Sequence, residues 1–171
     1  MLKYEMIPED GMFRVKALKD FGVIKTGEIG GLIEREGNLS QAGNAWIFGN
    51  ARVHEYARVS GNAEVSGDVR VYGDARVFGN ARIYGNAKVF GYVQVCGDAR
   101  VFGNAKVSSS PICISGLLWH ITIADEHIQI GCKVHLKTEW RDFTDEQISA
   151  LDPRALDFWT KNKGLIMLAA R

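Results

Sequence analysis

From Gly43 to Ser108 the chain repeats every six residues without an insertion, and that period limits what it can fold into. The hexads read GNAWIF, GNARVH, EYARVS, GNAEVS, GDVRVY, GDARVF, GNARIY, GNAKVF, GYVQVC, GDARVF and GNAKVS. The fifth position is always Val or Ile, and the third is Ala or Val. The first is Gly except at Glu55. A period of six fits no helix, whose apolar positions recur about every 3.6 residues. In an extended chain, successive side chains point to opposite faces. Ala75 and Val77 of GDARVF then point one way, and Arg76 and Phe78 the other. Gly73-Asp74 supplies a corner, because Gly and Asp tolerate the backbone of a tight turn. A short strand and a corner every six residues predict a coil whose flat sides stack on the coil above. Small Ala and larger Val at fixed places let each layer repeat the one below.

An aliphatic residue followed four positions later by a small one, repeated in sixes, resembles the hexapeptide-repeat family. The resemblance implies a mainly β fold: a left-handed parallel β-helix of triangular section, with three hexads per coil. A coil is then 18 residues and rises about 4.8 Å, the spacing of neighbouring strands. The expected organisation is an N-terminal β cap over 1–42, the solenoid over 43–108, and strands plus two helices over 109–171. The flanks resemble a narrower group of small phage and prophage proteins that carry this repeat. The resemblance rests on "ALKDFGVIKTGEIGGLIEREGNLSQAGNAWIFGNARV", "ITIADEHIQIGCKVH" and "EWRDFTDEQISALDPRALDFW".

An open solenoid leaves unpaired strand edges at both ends. In the cap, "KYEMI" and "FRVKAL" read as strands and Gly30-Gly31 as a turn. After the repeat, Ser108–Pro111 reads as a linker. "ICIS", "LLWHITIA" and "HIQIGCKVH" read as strands, the last two joined at Asp125-Glu126. Thr144 and Gln147 form a capping box that starts one helix. Pro153 at a first helical position starts the second, which Gly164 is expected to end.

The fourth position of each hexad points outward, and eight of the eleven residues there are basic. With three hexads per coil, Arg52, Arg70, Lys88 and Lys106 fall on one face beside His54, Tyr72 and Phe90. These seven residues are a candidate binding face, since Arg and aromatic rings together suit an anionic ligand or a host protein. Trp46, Phe48, Tyr84 and Phe102 fall on a second face. Exposed apolar patches mark contacts, so these four are a candidate interface of a homo-oligomer. A trimer is favoured because hexapeptide-repeat proteins are commonly trimeric. The third face carries Arg58, Arg76 and Gln94.

Catalytic chemistry is weakly marked. Many hexapeptide-repeat proteins are acyltransferases with a histidine at a subunit boundary, and His54 is the only histidine in these coils. A general base needs a positioned partner, which the sequence does not supply. Cys132 and His135 have ligand-like spacing, with Cys113, His120 and His127 nearby, but a structural zinc site wants four ligands in tight pairs. No metal and no cofactor are expected. The net charge is +1, so no bulk attraction to nucleic acid or membrane follows. No stretch approaches the roughly 20 apolar residues of a membrane helix, and the opening has no signal-peptide pattern. Three unframed cysteines, Cys96, Cys113 and Cys132, suit a reducing compartment, the cytoplasm. The expectation is a non-enzymatic phage or prophage binding module that engages a host component and antagonises host defence. The alternatives are an acyltransferase-like enzyme and a minor virion structural protein.

Overall fold

A computed structural model describes residues 1–171. The two short strands expected in the cap form a hairpin, β1 (Tyr4–Glu9) and β2 (Met12–Ala17). It turns at Asp10-Gly11, both with positive φ (47° and 78°), the backbone that matches the twist of paired strands. β3 (Ile29–Ile33) pairs antiparallel with β2 and parallel with the first rungs of the coil stack, Leu32 beside Arg52 and Ile33 beside Val53. The coil stack therefore begins before Gly43. Leu39 also bridges Val59, and eight positions rather than six separate Leu39 from Ile47. Buried Asn38 holds this irregular turn. Its Oδ1 accepts from the Glu34 and Arg35 N–H groups, and its Nδ2 donates to the carbonyls of Glu55 and Ala57. Gly30-Gly31 is not a turn but lies inside β3. A Cβ on Gly31 would stand 2.3 Å from Ile47 Cγ2, so glycine is there for close approach.

Eleven two-residue strands follow at six-residue intervals, β4 (Trp46–Ile47) through β14 (Lys106–Val107). β4 through β11 each pair in parallel with the strand 18 residues on, so Arg52, Arg70, Lys88 and Lys106 are direct neighbours in one sheet. The three faces of the prism are three such sheets, and the hairpin and β3 extend one of them. The side-chain alternation holds in every rung after the first: Ala75 and Val77 are fully buried and Arg76 is exposed. Each buried Val or Ile contributes on the order of 1.5–3 kcal/mol. At one corner Asn44, Asn62, Asn80 and Asp98 form a side-chain ladder, each Nδ2 donating to the Oδ1 above at 3.1–3.2 Å.

The C-terminal segment is an antiparallel sheet of β15 (Ile112–Ile114), β16 (Ile121–Ile123), β17 (His127–Ile130) and β18 (Lys133–Leu136), followed by helices. "HIQIGCKVH" is two strands, broken at Gly131, whose φ of 57° turns the chain. A short helix α1 (Lys137–Asp142), unmarked in the sequence, comes next. Then α2 (Asp145–Ser149) starts at the expected Thr144 cap. α3 (Ala155–Ala169) begins after Pro153 and runs through Gly164. A mid-helix glycine costs about 1 kcal/mol. Beyond it Ile166 is fully buried in the helix–sheet core, which holds the last turns in place.

This sheet is two-faced. Ile121, Ile123, Ile128 and Ile130 pack on the helices in a core separate from that of the solenoid. The other face closes the end of the prism mainly with polar groups. Thr122 Oγ1 accepts from Arg100 N–H, Ser110 Oγ accepts from Gln94 N–H, and Ala124 alone joins the solenoid core. Asp125 is not a free turn carboxylate; it accepts from the Ser108 and Ser109 N–H groups. No helix is long and apolar enough to cross a membrane.

Candidate binding face

The four cations of the expected face stand in one ladder because each occupies the outward fourth position of a hexad and the coil repeats at 18 residues. Arg52, Arg70, Lys88 and Lys106 are all exposed, and none forms an ion pair. Strand spacing puts neighbouring charges about 4.8 Å apart at the backbone, well within the Debye length of roughly 8 Å at physiological salt. On the adjacent face, by contrast, Arg82 is 3.5 Å from Glu64.

Acids beside the lower half of the ladder come from the N-terminal hairpin and from one corner. Glu9, Asp10 and Asp68 line an open groove with Arg14, Arg52 and Arg70, with a volume of about 510 Å³. Arg14 is fully engaged: it binds both oxygens of Glu9 and donates to the carbonyls of Gly30 and Gly49 at 3.0 and 2.9 Å. The hydrogen-bonded Arg14 guanidinium holds the Glu9 carboxyl below the usual carboxylate range, and Arg52 adds to the effect. Asp68 accepts from Asn50 Nδ2 at 3.3 Å. In the C-terminal segment, Asp142 and Asp157 pair with Arg141 and Lys161. The upper half of the ladder, Lys88 and Lys106, lies outside the groove.

Beside the cations the rings stack. His54 and Tyr72 have centroids 5.2 Å apart at 7°, and Tyr72 and Phe90 5.3 Å apart at 10°. The stack ends at Phe90 because the next rung carries Ser108. His54 Nδ1 lies 3.6 Å from the Glu55 carboxylate. The ring faces cover one another, so the column presents mostly edges to solvent.

The second expected face needs correction. Trp46 is only 1% exposed: Tyr4 and Phe21 meet it edge-on at 6.3 and 5.3 Å. The hairpin and the chain around Phe21 lie over this first rung, so a position that points outward in other coils is interior here. Phe48 is half-buried against the core, and Ser66 occupies the rung between it and Tyr84. Tyr84 and Phe102 remain stacked at 4.9 Å, with Tyr84 37% exposed. Two further surface tyrosines lie outside the expected faces, Tyr56 and Tyr92, exposed 67% and 87%. The repeat itself carries their signal: both occupy the second hexad position, where other hexads carry Asn or Asp. Arg35 covers the Tyr56 ring at 4.2 Å.

The Cys/His set of the C-terminal segment is dispersed. Cys132 is exposed at the β17–β18 turn, and the His135 ring packs edge-on against Trp140 and Phe143. Cys113 lies opposite Thr122 on the other sheet face, where burial pushes its thiol up.

Stacked parallel six-residue rungs on three faces define a β-solenoid repeat protein. Four consecutive, overlapping stretches, residues 57–73, 69–82, 81–96 and 93–109, match a family described as the YdcK beta solenoid repeat. The similarity covers the later part of the coil stack, from residue 57 on, less than a third of the chain. No curated protein matches the chain.

Proposed function

We propose that this protein is a non-enzymatic binding module whose solenoid presents Arg52, Arg70, Lys88 and Lys106, beside His54, Tyr72 and Phe90, to an anionic surface of a host component. The observation that carries this reading is the in-register ladder of four exposed cations without ion pairs. Four like charges held this close repel one another, and a bound anionic partner relieves that cost. The phage-like flanks favour a partner in a host cell, in the cytoplasm, with antagonism of anti-phage defence as the role. The module acts as a homo-oligomer, a trimer, joined through the face of Tyr84 and Phe102.

The test compares wild type with a double charge reversal, Arg70→Glu with Lys88→Glu, in quantitative pull-downs from host lysate. The mass of each protein is followed by light scattering. Loss of a captured component with the mass unchanged supports the reading. Unchanged capture and unchanged host phenotype would mean that the ladder is only a solvated surface.

A further inference from the structure

The C-terminal segment holds a cavity that the solenoid face does not use. Its walls are aromatic and come from separate elements: Trp119 from the loop before β16, Trp140 from α1, and Phe158 and Trp159 from α3. The rings meet at angles. Trp119 and Phe158 lie edge to face at 4.9 Å, and Trp140 and Trp159 are tilted by 35° at 5.3 Å. Flat, rigid rings set this way do not close the space between them, and the small side chain of Ala155 leaves it unfilled. The interior is about 70 Å³, and with its open mouth the empty space comes to about 450 Å³.

The mouth is polar and carries excess positive charge. Asp152 is already engaged: it accepts from the Arg154 N–H and pairs with the Arg154 guanidinium at 3.2 Å, and that guanidinium sits over the Trp119 ring. Lys133 also lines the cavity. It lies cross-strand from Ile130, is exposed, and forms no ion pair. Its charge reaches the Asp152 carboxylate and helps hold that group's pKa down, but no carboxylate pairs with it directly, so its ammonium is the one cation without a direct partner at the opening of an apolar, aromatic pocket. Ligand pockets of this kind combine apolar walls with a few placed polar groups.

We propose that this cavity binds a small aromatic carboxylate, its ring between Trp119, Phe158 and Trp159 and its carboxylate on Lys133. The size argues for a single ring. A cavity of about 150 Å³ takes a whole benzene, so this smaller interior takes a ring edge first and leaves the ring's substituent in the mouth. The charge argues for the carboxylate, since a cationic ligand would meet Lys133 and find Asp152 already paired.

Phenylacetate is the probe, with 2-phenylethanol as its uncharged counterpart. Three of the four tryptophans line or edge the cavity, so intrinsic fluorescence reports occupancy. Titration of the full chain with phenylacetate should give a saturable change, and 2-phenylethanol should bind more weakly. Lys133→Gln should weaken phenylacetate binding about tenfold, the worth of one charge-assisted contact, and leave 2-phenylethanol unaffected. Ala155→Leu, which fills the interior, should abolish both. Wild-type protein supplies a test independent of folding of the variants: phenylacetate should slow alkylation of Cys132, which lines the cavity, and not of Cys113, on the opposite sheet face. Absence of a saturable signal at millimolar phenylacetate, equal slowing at both cysteines, or binding that survives Ala155→Leu overturns the proposal.

Discussion

Lys3 Nζ donates to the carbonyl of Ala45 at 2.9 Å, with Lys3 only 1% exposed and no carboxylate beside it. The ammonium closes the lower end of the prism, beside the Phe21 ring at 5.1 Å. Burial, with Lys19 nearby, lowers its pKa from 10.5 to about 8. In the unfolded chain the ordinary value of 10.5 applies, so between pH 8 and 10.5 the unfolded state holds more protons than the folded one. Stability therefore rises across that window. The cost of burying the charge is fully present below pH 8 and is gone above 10.5. Urea unfolding should show this rise in wild type. Other groups titrate in the same range, so the control is Lys3→Met, which should remove the part due to Lys3. Identical pH profiles for the two proteins would rule it out.

Glu55 is the one hexad-opening residue that is not glycine, yet it keeps the left-handed backbone of its counterparts, with φ 56°. Its carboxylate accepts from Gly73 N–H at 2.8 Å. Left-handed backbone costs a non-glycine residue roughly 1–2 kcal/mol, and one hydrogen bond returns about 1 kcal/mol. Glu55→Ala keeps the strain and loses the bond; Glu55→Gly loses both. The glycine variant should be the more stable of the two by about 1 kcal/mol in denaturant melts. The reverse order would show that the Glu55 backbone is not strained.

The corner glycines should differ sharply from one another. Gly67 has φ +83°, and a Cβ there would stand 2.6 Å from the Gly85 carbonyl oxygen of the next coil. Gly103, with φ +69°, has open space around the same position. Gly103→Ala should cost about 1–2 kcal/mol, from backbone conformation alone. Gly67→Ala should cost more, because two backbones must move apart. Equal losses in thermal unfolding would mean that the coils are not packed this closely.

The proposed oligomer face makes a separate claim. Tyr84→Glu with Phe102→Glu places unpartnered charges in the contact, which is costly when they are buried. The oligomer should dissociate to monomers on light scattering, with the far-ultraviolet β signal retained. Trp46→Ala should act differently: Trp46 is interior, so it should lower stability by about 3–5 kcal/mol, as for a large core aromatic. Wild type that is monomeric at micromolar concentration would eliminate the oligomer.

Local chemistry alone determined the inside and outside of every rung after the first. Val77 is in and Arg76 is out because alternation is a property of each extended dipeptide, whatever lies around it. The 18-residue stacking of Arg52 on Arg70 follows once three rungs close a coil, so the cation ladder is implicit in the repeat itself. Trp46 shows where that reasoning stops. It holds the same hexad position as Arg52, but Tyr4 and Phe21 arrive from distant sequence and bury it, and no local pattern encodes which rung a cap will cover. Gly30 and Gly31 carry the composition of a turn and lie in a strand because Ile47 approaches too closely for a side chain. Gly164 carries a stop signal that the burial of Ile166 overrides. The cavity of Trp119, Trp140 and Trp159 depends on the angles at which three separate elements meet, and those angles exist only in the packed molecule.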